Sequence, residues 1–123
     1  MKVRLTAEML RLRLDQPDVD ALSASGAVGF VLPLGPDGAL PCALRVDATA
    51  DAIGAVFSDD GLVVTLPADR AARWISSDAI SLEGHVDAGP SSTRILIEKD
   101  LGCRHPGKAA DAAESQAFDH LRG

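Results

Sequence analysis

Leu10-Arg11-Leu12-Arg13-Leu14 is answered 52 positions later by Leu62-Val63-Val64-Thr65-Leu66. At that same offset, without a gap, Val3 and Leu5 fall on Ala55 and Phe57, and Leu22 falls on Trp74. Ala27 falls on Ala79, Val28 on Ile80, Phe30 on Leu82 and Leu44 on Leu96. Few positions are identical. What recurs is the hydrophobic pattern, and a pattern that recurs once predicts two copies of a half-domain rather than a solenoid, which needs three or more.

Working outward from Leu10, the alternation of Leu with Arg has the period of two of a strand with one buried face. Val3 and Leu5 alternate in the same way. A short connection at Ala7-Glu8 then predicts a hairpin with Leu5 opposite Leu10 and Val3 opposite Leu12. On its other face Arg4 is set against Arg11, and Lys2 against Arg13. Asp15 suits a helix N-cap and Pro17 the first turn. Val19 and Leu22 give that helix its buried stripe, and Ser25-Gly26 its end. Val28, Phe30 and Leu32 alternate again. Gly35-Pro36-Asp37-Gly38 is a turn, and Leu40 to Val46 returns as a strand whose Pro41 predicts an edge or an irregular start.

The order then restarts. Gly54 to Phe57 and Leu62 to Leu66 flank a turn at residues 58–61. Pro67 opens a second helix with Ala71, Trp74 and Ile75 on one face. Ala79 to Val86 and Thr93 to Glu98 form a last hairpin. The predicted class is β-rich α+β: a ββαββ unit used twice, at residues 2–46 and 54–98, in one domain over residues 1–100. Eight short strands predict a small closed barrel with pseudo-two-fold symmetry, since closure hides sheet edges. Residues 101–123 are read as a C-terminal tail, helical or disordered.

One domain also follows from a length of 123 residues. Hydrophobic residues make up 46% and aromatic residues 3%, so the core must be built from Ala, Val, Leu and Ile. A net charge of −6 excludes a protein whose whole surface embraces nucleic acid or an anionic membrane. The alternating pattern begins at Met1, with no secretory signal ahead of it, and no apolar run reaches the length of a spanning helix. The expectation is a cytoplasmic protein without membrane contact, with Cys42 and Cys103 as reduced thiols.

The stretch Ser58-Asp59-Asp60-Gly61-Leu62-Val63-Val64-Thr65-Leu66-Pro67, the helix Ala68 to Trp74 and the hairpin Ile80 to Lys99 resemble one half of an AbrB/MazE-type swapped-hairpin barrel. Two such halves in one chain resemble the duplicated MraZ-type arrangement. That resemblance implies DNA binding or antitoxin-like pairing. The chain departs from it at Leu62, where the family places Arg, and keeps Arg70 and Arg73 on the helix. The whole chain also resembles a family of small uncharacterised bacterial proteins. The carriers are Lys2 and Arg4, Leu10 to Leu14, Ile97-Glu98-Lys99-Asp100-Leu101 and Cys103. That resemblance implies no activity.

Three constellations carry chemistry. Lys2, Arg4, Arg11 and Arg13 share one hairpin face, where like charges repel across strands. They call either for neutralisation by carboxylates within the chain (Asp15, Asp18, Asp20 or the tail) or by water and salt, or for an acidic protein or a phosphate backbone, the last with Arg70 and Arg73 assisting. The matching positions of the second half, Val56 and Val63, are apolar on the face opposite Phe57 and Leu62, so that hairpin is either covered on both sides or forms an oligomer contact. Cys103, His105 and His120 offer metal ligands, though in no established zinc spacing. Ser91-Ser92-Thr93 with His85 and Asp87 lacks a nucleophile elbow or an oxyanion helix. The reading is a non-enzymatic binding or interaction protein, cofactor-free and homodimeric, with a protein partner as a further expectation. The alternatives are a DNA-binding regulator or antitoxin-like protein, and a metal-binding tail.

Overall fold

Leucines 10, 12 and 14 are all buried, and the arginines between them are not, as the period of two requires. In the computed structural model, which describes residues 1–101, they lie on β2 (Met9–Leu14). β1 (Lys2–Leu5) pairs with β2 in the expected antiparallel register, Leu5 against Leu10 and Val3 against Leu12. The connection is Thr6-Ala7-Glu8, closed by the amides of Glu8 and Met9 donating to the Thr6 hydroxyl.

Helix α1 (Gln16–Ser25) starts as the sequence implies. The Asp15 carboxylate accepts from the Asp18 amide, and Asp18 reciprocates from the N-cap amide, a complete capping box. Gly26, with φ of 79°, ends the helix in the left-handed conformation. β3 (Ala27–Pro33) and β4 (Ala39–Asp47) form a hairpin, and β5 (Gly54–Ser58) and β6 (Gly61–Pro67) another. Helix α2 (Ala68–Ser76) buries Ala71 and Trp74. β7 (Ser81–Ala88) and β8 (Ser91–Lys99) close the order.

The eight strands make two four-stranded sheets, β1-β2-β8-β7 and β3-β4-β6-β5. Each sheet takes one hairpin from either half of the chain. The joint is a parallel pair, β2 with β8 and β4 with β6. The core lies between the sheets and under the helices: Leu10, Leu12 and Leu14, Val19 and Leu22, Leu44, Val64 and Leu66, Trp74, Ile95 and Ile97.

The expected closed barrel is not formed. β1, β7, β3 and β5 remain edges. β5 and β7 run near each other without a ladder between them, and a side chain packs over the inner face of β7. Ile53, buried just before β5, presses so closely on Gly84 that a Cβ there would lie 2.7 Å from its own. Of the two alternatives that Pro41 offered, an edge or an irregular start, β4 is not an edge. Pro41 sits opposite Val31, just before the parallel ladder starts at Cys42, so its missing N–H costs that ladder nothing. The constant offset of 52 also ends early. Leu44 faces the core, whereas Leu96 lies beside Arg11 and Glu83 on the outside, and Ile97 takes the core position. One extra residue therefore separates the last strand from its counterpart.

Candidate functional site

The register determines what each sheet shows to the outside. On the first sheet, Arg4, Arg11, Leu96 and Glu83 form one outward row, and Lys2, Arg13, Glu98 and Ser81 the next. The four predicted cations therefore do share a face. For Arg11 and Arg13 the neutralisers are not the carboxylates of Asp15, Asp18 and Asp20. Arg11 Nε donates to Glu98 Oε1 at 2.5 Å on the adjacent strand, and Arg13 reaches Asp100 at 3.5 Å. Asp15 and Asp18 are held by the capping box, and Asp18 also binds the Met1 ammonium at 2.7 Å. Burial acts to raise the Asp18 carboxyl, but the Met1 ammonium and the Asp15 amide outweigh it and hold it below the usual carboxylate range.

Arg94 and Glu83 extend this charged face with a 2.8 Å pair, which keeps the Glu83 carboxyl low. His85 turns to the same Glu83 at 3.9 Å. His85, Asp87, Ser91 and Ser92 are exposed side chains on one open hairpin. Arg70 and Arg73 do not join the basic hairpin. They belong to α2, which packs on β4, β6 and α1, and Arg73 pairs with Asp69 at 3.7 Å.

The second sheet has a different exterior. Its outward rows are Val31, Pro41, Gly61 and Ser58, then Gly29, Ala43, Val63 and Val56, then Ala27, Arg45, Thr65 and Gly54. The middle row is apolar across all four strands. Val56 is 58% exposed and Val31 61% exposed. At the sheet edge Phe57, on the opposite pleat, is 74% exposed. The two valines singled out from the sequence, Val56 and Val63, are thus directly paired in the middle of an apolar face. Gly29, Val31 and Ala43 were not singled out, nor was Pro41 as part of a contact face. Their signal is the runs Ala27 to Leu32 and Ala39 to Leu44, apolar or small at every position rather than at alternate ones.

Two glycines on this face leave no room for a side chain. A Cβ on Gly29 would meet the Cys42 carbonyl oxygen at 2.3 Å, and one on Gly61, where φ is 93°, would meet that of Pro41 at 2.2 Å. Cys42 itself is buried, and burial pushes its thiol up. Between the sheets an apolar crevice is lined by Met1, Val3, Leu10, Leu12, Cys42 and Leu62, and it is too narrow to admit a water molecule.

Among the described residues no three His, Cys, Asp or Glu side chains come together as a metal site. The proposed metal ligands Cys103, His105 and His120 lie outside the described residues. Among the described residues, no helix is long and apolar enough to cross a membrane.

The chain belongs to DUF7009, a family of unknown function. The family model matches residues 1–121, which agrees with the resemblance to an uncharacterised family. No curated protein and no solved structure matches the chain.

Proposed function

We propose that this protein is a non-enzymatic interaction module that binds another protein through the outer face of its second sheet. The observation that carries the reading is the row Gly29, Ala43, Val63 and Val56, apolar from edge to edge on a sheet whose other face already builds the core. A sheet with one face on a core normally shows water an alternating, polar side. An apolar exterior of this extent marks a contact surface. Covering a valine that is about three-fifths exposed returns roughly 1 kcal/mol. Val31 and Val56 together therefore supply roughly 2 kcal/mol of the driving force, and the rest of the face must supply the remainder against the cost of association.

The first sheet supports the same assignment by contrast. Its basic face spends Arg11 and Arg13 on Glu98 and Asp100, which weakens a phosphate-binding reading. We also read the two ββαββ halves as a duplicated unit related to the swapped-hairpin proteins. What supports this is that each sheet exchanges one hairpin between the halves around a parallel central pair.

The test is a photo-activated cross-linking residue placed at Val56, with His85 on the opposite exterior as the control, in cells making the full chain. A discrete adduct from Val56 and none from His85 is expected. Absence of adducts at Val56, or equal adducts at both positions, overturns the assignment.

A further inference from the structure

We infer that the partner on this face is a second copy of the same chain, packed sheet against sheet with its strands reversed. This rests on the reading of the face as a contact surface and adds the occupant. The argument is the placement of charge around the apolar rows. Counting along β4, the two uncharged rows lie at the levels of Pro41 and Ala43, and Arg45 stands one row beyond them. Arg45 is exposed and, among the described residues, forms no ion pair. The next outward residue, Asp47, is turned onto the amide and hydroxyl of Thr49. At the opposite end, where β4 and β6 begin, the turns carry Asp37 and the exposed pair Asp59-Asp60.

An isologous contact must be complementary to itself. Two in-plane two-fold axes bring this face onto a copy. An axis along the strands stacks Arg45 near the other Arg45 and acidic turn on acidic turn. An axis across the strands, passing between the two apolar rows, does the reverse. It lays the row of Pro41 on the row of Ala43 and carries each Arg45 to the level of the partner copy's Asp59-Asp60, about one strand aside. Opposite charges then meet twice and the uncharged rows are covered together. Like charges brought together exclude the first arrangement.

The extent of the face bounds the contact. Four strands about 4.8 Å apart and about seven residues long give a flat footprint of roughly 440 Å². The pleat and side chains raise the accessible area over it toward the ~800 Å² per partner of a standard interface. The contact is at the small end of interface sizes, and weak, reversible association is expected.

The experiment is sedimentation equilibrium of the full chain over a concentration series up to about 1 mM, with circular dichroism on each variant. Wild type is expected to dimerise reversibly. Val56→Lys, at an exposed edge-strand position, is expected to be a folded monomer. Arg45→Asp is expected to weaken the dimer at least about tenfold, and adding Asp59→Arg and Asp60→Arg is expected to recover it. A wild type that stays monomeric, a dimer indifferent to Val56→Lys, or a charge reversal that fails to recover association overturns the inference. A monomeric wild type that still cross-links from Val56 to a different protein removes only self-pairing. Loss of both the dimer and the cross-link removes the contact surface itself.

Discussion

Replacing Lys99 by Met tests how the last strand is locked to the second helix. Lys99 occupies the inward position after Ile95 and Ile97 and is only 9% exposed. Its Nζ donates to the Trp74 carbonyl at 2.6 Å and to the Ser77 carbonyl at 2.8 Å, and stands 5.2 Å from the centre of the Trp74 ring. Those carbonyls are at the C-terminal end of α2, where a helix has acceptors with no partner of its own. Hydrogen bonds from a charged donor contribute about 1.5–3 kcal/mol each, and the ring contact roughly another 1 kcal/mol. Met keeps most of the volume and relieves the cost of burying a charge, which offsets part of the loss. The net expectation is destabilisation by about 2–4 kcal/mol, a fall in Tm of roughly 10–20 °C for a domain of this size. Urea titration followed by fluorescence reads it directly, because Trp74 is the single tryptophan. Arg13→Met, whose 3.5 Å pair is partly exposed, is the control, with an expected loss under about 1 kcal/mol. A loss below about 0.5 kcal/mol for Lys99→Met would refute the reasoning, because the carbonyls would then be satisfied without the ammonium.

Gly61→Ala is expected to cost more than about 2 kcal/mol in a urea titration, since it forces a Cβ into the Pro41 carbonyl from a left-handed backbone. The Asp18 carboxyl is lowered in the folded chain, so its contribution is complete above the ordinary carboxylate pKa and is lost as pH falls through the depressed one. Asp18→Asn should therefore lower stability at neutral pH and flatten the acid limb of the stability curve; an unchanged limb would contradict the assignment. Buried Cys42, with its thiol pushed up, is expected to resist a thiol reagent at neutral pH until the protein is unfolded, and prompt labelling of the native chain at this residue would show the sheet to be open there. Anisotropy with random duplex DNA at low salt is expected to show no binding; micromolar binding that weakens steeply with salt and vanishes in Arg11→Glu with Arg13→Glu would restore the regulator reading.

How much of this could be read from the chain depends on the range of the interaction. The register of β1 on β2 was legible because Leu and Arg alternate and a slip by one residue would bury the arginines. The ends of α1 were legible because Asp15, Pro17 and Gly26 act on their immediate neighbours. The partner of Arg11 was not, because Glu98 lies 87 positions away and comes alongside only through the parallel pairing of β2 with β8. The nearer acids Asp15 and Asp18 looked equally suitable, but capping α1 already holds them. Period-two patterning says which face of a strand is buried, not which hairpin it joins. The unpaired edges of β5 and β7, with Ile53 packed on Gly84, therefore leave no trace in the pattern. The inward Lys99 did leave one: a charged residue at the core phase of Ile95 and Ile97.

The two halves share an order of elements but have been given opposite exteriors. Arg4 and Arg11 on the first hairpin correspond by offset to Val56 and Val63 on the third, and in both cases the pair lies directly across the strands. On the first sheet β8 brings Glu98 alongside the arginines, and the face gains attraction from within the chain. On the second sheet the strand in the same place, β4, brings Ala43 alongside the valines, where the first sheet has Leu96, and Arg45 one row further on, where the first sheet has Glu98. An alanine can neither cover them nor solvate them. Swapping hairpins between halves thus gives one sheet that satisfies its own exterior and one that cannot. Replacing Val56 and Val63 by polar residues should cost the isolated fold little, because the core lies on the other pleat. Whatever that double substitution removes is therefore a property of the contact rather than of the fold.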